Sequence, residues 1–220
     1  MAAARQEWPT EAAGGVGGIA PERLVFIDGC GVLTNMARLR GRSPRGTRAV
    51  GTVPCGHRKR LTVLGALGIS GMVAATGVEA ATSGAVFHAC LEQALPPRLR
   101  QSKPDAVLVL DNRRAHKAAA VRGLLERSGF AYRYLPSYSP DLNPIEPAWA
   151  KVKAELRRVA ARTTEALHQA LGPALDTITA QDASGFFRHA GYGRPNWCVV
   201  CSRQGATPSP CATRCLPVRR

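Results

Sequence analysis

Short apolar runs with strand character alternate with longer stretches of helical period along the body of the chain. Residues 24–27, 61–69 and 72–78 are strand-like, and Ser70-Gly71 supplies a turn between the second and third. Thr82 and Ser83 are placed to cap a helix that runs to about residue 95, where Pro96-Pro97 stops it. Residues 106–110 are continuously apolar, the pattern of a strand buried on both faces in a parallel sheet. A helix over 117–127 presents Ala119, Val121, Leu124 and Leu125 and ends at Gly129, and residues 130–135 read as the next strand. Asn143 as N-cap and Pro144 as first helical residue start a helix predicted to reach about residue 162. Further helices are predicted over 164–177 and about 182–190. Three early strands in a meander, then helix, strand, helix, strand and helix, predict an α/β fold: a mixed five-stranded sheet flanked by helices.

The two ends lack this periodicity. Residues 1–22 are rich in Ala and Gly and read as a flexible leader, leaving 23–193 as the folded domain. Residues 194–220 contain four prolines and no acid, too little apolar surface to offset the entropy of ordering them, so a disordered tail is expected. Cys198, Cys201, Cys211 and Cys215 have zinc-like spacing, but the segments between them offer little to pack around an ion. Cys30, Cys55 and Cys90 are scattered, as reduced thiols of a cytosolic protein would be. No apolar stretch approaches the ~18 residues of a membrane span, and no signal peptide is recognisable.

Charge narrows the class of partner. The formal charge is +15 and the pI about 10.4, which favours a polyanion. Eight basic residues and no acid fall between Asn35 and Arg60. Arg38, Arg40, Arg42 and Arg45 from this run, with Lys151 and Lys153 from the helix after Pro144, are the candidate DNA contacts.

Three acids carry the candidate chemistry. Asp28 and Asp111 each close an apolar run, and Glu146 falls in the first turn of a predicted helix, with 34 residues between it and Asp111. Each has an ordinary explanation: a turn at Asp28-Gly29, an Asx-turn at Asp111-Asn112, a capping box between Asn143 and Glu146. Together they suit a site holding two divalent cations against a phosphodiester, since oxygen-only ligands favour hard ions over zinc.

The sequence around these acids resembles the catalytic domain of the DDE transposases, in particular the bacterial insertion-sequence branch of the mariner-like superfamily. The resemblance is carried by Phe26-Ile27-Asp28, by Asp111-Asn112-x-x-x-His116, and by Leu135-Pro136-x-Tyr138-Ser139-Pro140-Asp141-Leu142-Asn143-Pro144-Ile145-Glu146, and it extends over residues 24–192. It implies a ribonuclease-H-like fold in which Asp28, Asp111 and Glu146 are catalytic and bind two Mg²⁺ or Mn²⁺ ions, with Asn112 and His116 in support. The implied activity is metal-dependent DNA cleavage and strand transfer at element ends, in the cytoplasm at the nucleoid. The implied partners are DNA ends and target, with a homodimer and a separate helix-turn-helix subunit also admitted. The chain departs from the family at Gly29-Cys30, where members commonly carry Glu after the first Asp, and only about 22 residues precede the first strand. A non-catalytic DNA-binding remnant and a ribonuclease-H-like nuclease are the competing readings.

Overall fold

A computed structural model describes residues 2–8, 15–55, 58–80, 83–94 and 99–193. Thr82, Pro96-Pro97 and the four tail cysteines lie outside the described residues, and with them the expectations of a disordered tail and against a zinc module.

Five strands form one mixed sheet in the order β3-β2-β1-β4-β5. The strands are β1 (Leu24–Leu33), β2 (Arg60–Gly68), β3 (Gly71–Val78), β4 (Val107–Leu110) and β5 (Ala131–Tyr134). The first three form the antiparallel meander, and β4 and β5 add in parallel to β1. Helices α1 (Ala2–Glu7), α2 (Gly84–Ala94), a single turn α3 (Arg100–Ser102), α4 (Ala119–Ser128), α5 (Ile145–Val159), α6 (Thr164–Asp176) and α7 (Ala180–His189) complete the described chain. Among the described residues no helix is long and apolar enough to cross a membrane.

Strand alternation divides the core. Val25 and Ile27 of β1 and Leu108 and Leu110 of β4 face Phe87 and Leu91 of α2 and Val121 and Leu125 of α4. Leu24, Phe26, Cys30 and Val32 face the other way, against Trp149 and Val152 of α5, Leu167 and Leu171 of α6, and Phe187 of α7. Burying each of these large side chains contributes about 2 kcal/mol, and both layers are needed because the central strands are apolar on both faces.

Three expectations change. First, β1 does not stop at Ile27. Its parallel pairing with β4 ends at Ile27↔Leu110, but its antiparallel pairing with β2 continues to Leu33↔Arg60, so Asp28 lies inside a strand instead of at its end. Secondly, the leader is packed where it is described: Trp8 and Val16 are buried in the α5–α7 layer. Thirdly, Asn143 is not a side-chain cap. Pro144 already has helical backbone angles (φ −66°, ψ −13°) and occupies the cap position, and the Asn143 N–H donates to the Pro140 carbonyl. The buried Asn143 Oδ1 has no hydrogen-bond partner. Capping of the predicted kind does occur at Ser83, whose hydroxyl accepts from the Val86 N–H at 3.2 Å, and at Thr179, which forms a capping box with Asp182.

Candidate active site

The parallel register brings the first two acids side by side. Asp28 and Asp111 each follow the last paired residues of neighbouring strands, Ile27 and Leu110. Alternation points Asp28 toward the layer that holds α5, because Phe26, two residues earlier, belongs to that layer, whereas Asp111 lies just past the end of β4. The Leu135 N–H donates to the Leu110 carbonyl at 2.8 Å, fixing where the chain leaves β5, and a loop and a 3₁₀ turn (Pro140–Leu142) then lead to α5. Glu146 is the second residue of that helix, and Trp149 and Lys153 follow it on the same side at helical spacing.

Electrostatics ties the three acids together. Asp28 is 6 % exposed, and its pKa is raised to about 6, first by burial, then by the charges of Glu146 and Asp111. Cys30, two residues further along the same face, is pushed up to about 11, mainly by burial, and feels Lys153, Asp28 and Glu146. The Lys153 ammonium is therefore beside the Cys30 thiol, and that thiol, kept neutral, is a poor metal ligand at physiological pH. Among the described residues, no group of three His, Cys, Asp or Glu side chains is gathered tightly enough to hold an ion as it stands.

Asp111 is held by side chains of the turn that follows it. Its Oδ2 pairs with Arg113 Nε at 2.8 Å, and its Oδ1 accepts from the Arg113 N–H at 3.3 Å, an Asx-turn as the ordinary reading of Asp111-Asn112 expects. His116 Nδ1 contacts the same Oδ1. The His116 ring is buried and stacked on Phe87, with centroids 3.8 Å apart, and the Tyr134 hydroxyl donates to its carbonyl at 3.0 Å. Asn112 stands half-buried between Asp111 and this turn. A cavity of about 280 Å³ opens on the α2 side of the acids, lined by Asp28, Phe87, Arg113 and His116 but not by Glu146.

Gly65 sets how α5 sits. It is the register partner of Asp28, and a Cβ there would lie 2.6 Å from the Trp149 ring and 2.8 Å from Met72 Cε. Trp149, 2 % exposed, occupies the space that a side chain at this point of β2 would fill.

The basic candidates divide. Arg38, Arg40, Arg42 and Arg45 are exposed on the irregular connection between β1 and β2, whose base is held by Arg162 donating to the Thr34 and Met36 carbonyls. Lys151 is not available in the same way. Its ammonium bonds Asp182 Oδ2 at 2.7 Å and the Thr177 carbonyl at 2.8 Å, joining α5 to α7. Sequence reading missed Arg113 and Phe87, because their roles depend on the turn after β4 and on a partner distant in sequence.

A family model described as DDE superfamily endonuclease matches residues 23–168. No curated protein matches the chain. Among solved structures, a Mos1 transposase paired-end complex with left transposon end is similar with a TM-score of 0.62 at 22% identity, covering 76% of this chain and 52% of that one. A pre-cleavage Mos1 transpososome gives 0.61 at 20%, covering 78% and 54%. The Mos1 transposase catalytic domain with Raltegravir and Mn gives 0.54 at 17%, covering 76% and 77%. The chain spans about half the length of the first two proteins and most of the third. At these identities the likeness bears on the fold, which is the ribonuclease-H-like arrangement of those catalytic domains. The family match runs from the start of β1 into α6 and takes in all three acids and every strand of the sheet, and the chain belongs to the DDE superfamily of endonucleases.

Proposed function

We propose that this chain is the catalytic domain of a transposase, cutting and rejoining DNA strands at the ends of a mobile element in the bacterial cytoplasm, at the nucleoid. The observation that carries this reading is the convergence on Asp28: Asp111 stands beside it in the parallel register, and Glu146 is close enough to raise its pKa. The donor set fits hard divalent cations, because it consists of carboxylate oxygens whose mutual repulsion a cation would relieve. Asp28, Asp111 and Glu146 would hold two Mg²⁺ or Mn²⁺ ions, the metals named for the solved Mos1 structures. When bound, such ions supply Lewis-acid activation of the attacking oxygen and neutralise charge on the departing 3′-oxygen.

The chain's own residues do the rest. The sheet fixes Asp28 and Asp111, α5 brings Glu146 over them, and His116 with Arg113 orients the Asp111 carboxylate. Lys153 offers a cation for a phosphate beside the acids, and the exposed arginines between β1 and β2 supply backbone contacts along the duplex. Element ends and target DNA are the substrates, and a homodimer or a separate helix-turn-helix subunit would supply end recognition. The test is strand cleavage and joining on a labelled element end with Mn²⁺. Asp28→Asn, Asp111→Asn and Glu146→Gln should each lose at least ~10³-fold in cleavage while DNA binding persists. Near-normal cleavage by any one variant removes that residue from the site.

A further inference from the structure

Tyr138 stands apart from the other described aromatics by its exposure. Among the described residues the other aromatic side chains are buried or half-buried, whereas Tyr138 is 88 % exposed. Its backbone is in the left-handed region at φ 56°, where a residue with a bulky side chain is strained and glycine is favoured. The strained residue is held from outside its own turn. Arg5 Nη1 donates to the Tyr138 carbonyl at 3.1 Å and to Ser139 Oγ at 3.3 Å, while Nη2 bonds Asp141 Oδ2 at 2.6 Å. Strain that persists because surrounding groups enforce it is typical of functional positions. Here it aims an aromatic ring into solvent from the loop that joins the end of β5, beside Leu110, to the helix of Glu146.

We propose that the Tyr138 ring is a stacking platform for an unpaired DNA base next to the phosphate being cut. The inference rests on the DNA-cutting reading and deepens it. A phenol ring offers a π-face to any base without reading its sequence, and the loop that carries it leads directly into the helix of Glu146. The net charge of +15 favours a nucleic-acid strand as the occupant.

The experiment compares binding of a short blunt duplex with the same duplex carrying a single-stranded 3′ overhang that contains 2-aminopurine. The unmutated protein should bind the overhang DNA roughly tenfold more tightly and quench its fluorescence, as expected for one base stacked on an aromatic ring. Tyr138→Phe should keep both effects, and Tyr138→Ala should lose both. Tyr138→Gly, which relieves the left-handed strain, should keep or raise Tm while also losing the overhang preference. Equal binding of both duplexes by the unmutated protein would overturn the proposal and leave the cutting reading intact. Persistence of the preference in Tyr138→Ala would do the same, and a lower Tm for Tyr138→Gly would overturn it by showing that the ring serves packing. If the unmutated protein binds neither duplex, the DNA reading itself fails and this inference fails with it.

Discussion

The Trp8 indole nitrogen donates to the Tyr192 hydroxyl at 2.7 Å, and that hydroxyl donates in turn to the Leu142 carbonyl at 2.6 Å. Two segments from opposite ends of the described chain thus meet on the turn that precedes Glu146. The Tyr192 ring is wedged against Phe26 and Phe187, and burial pushes its phenol pKa upward, so the hydroxyl remains a donor.

Breaking this relay should loosen the approach to α5. Tyr192→Phe keeps the ring but leaves the Trp8 N–H and the Leu142 carbonyl without their partner, at a cost of about 1–3 kcal/mol. Urea unfolding should show that loss, and cleavage should fall with it as the Glu146 turn becomes less fixed. Unchanged stability would mean that water replaces the hydroxyl without penalty.

His116 offers a test confined to the Asp111 side. His116→Ala should weaken the response of cleavage to Mn²⁺ by about 10- to 100-fold, as losses of groups orienting metal-binding carboxylates commonly do. Phe87→Leu should give a weaker effect in the same direction, because the ring that the imidazole stacks on is gone. A Mn²⁺ titration of cleavage rates distinguishes these from a general loss of folding.

Asp28 predicts an unusual pH dependence for metal-free protein. Its folded pKa, about 6, stands above its ordinary value of 3.8, so the protonated form is favoured by folding. The associated stability is fully present below about pH 4 and is lost as pH rises through 6, a change of about 3 kcal/mol at most. In chelator, stability should therefore decline from pH 4 to 7, and Asp28→Asn should flatten that decline while abolishing cleavage. Divalent cations should reverse the trend, since they compete with the proton for the same oxygens. Denaturant midpoints with and without Mn²⁺ at several pH values check both statements.

The basic residues should separate by their neighbours. Replacing Arg38, Arg40, Arg42 and Arg45 with Ala should flatten the slope of log K against log salt by roughly one for each phosphate that is no longer neutralised. Lys151→Ala should leave that slope nearly unchanged and instead lower Tm, because its ammonium is held between Thr177 and Asp182. An unaltered slope in the quadruple variant would assign the arginines to solvent.

Much of this was legible in local patterns. The five strands fall within a residue or two of the apolar runs, except that β1 continues to Leu33, since Gly29-Cys30 reads locally as a break while the β2 ladder holds it straight. The proximity of Asp28 to Asp111 follows from two adjacent parallel strands whose shared pairing stops just before each acid. What stayed hidden depends on partners far away in sequence. Trp8 is buried by Tyr192, Lys151 is occupied by Asp182, and the strain at Tyr138 is enforced by Arg5. The Asn143 cap failed for a local reason: Pro144, already helical, displaces it by one residue.

The seat of Trp149 on Gly65 has a consequence for the spacing of the acids. The helix that carries Glu146 rests its largest side chain on a rung of β2 that has none, directly across from Asp28. Neither acid sets the gap between sheet and helix. A missing methyl group does, acting as the stop against which the helix comes to rest. An alanine at that rung would act as a shim, lifting the first turn of α5 and widening the span that any bridging cation must cover.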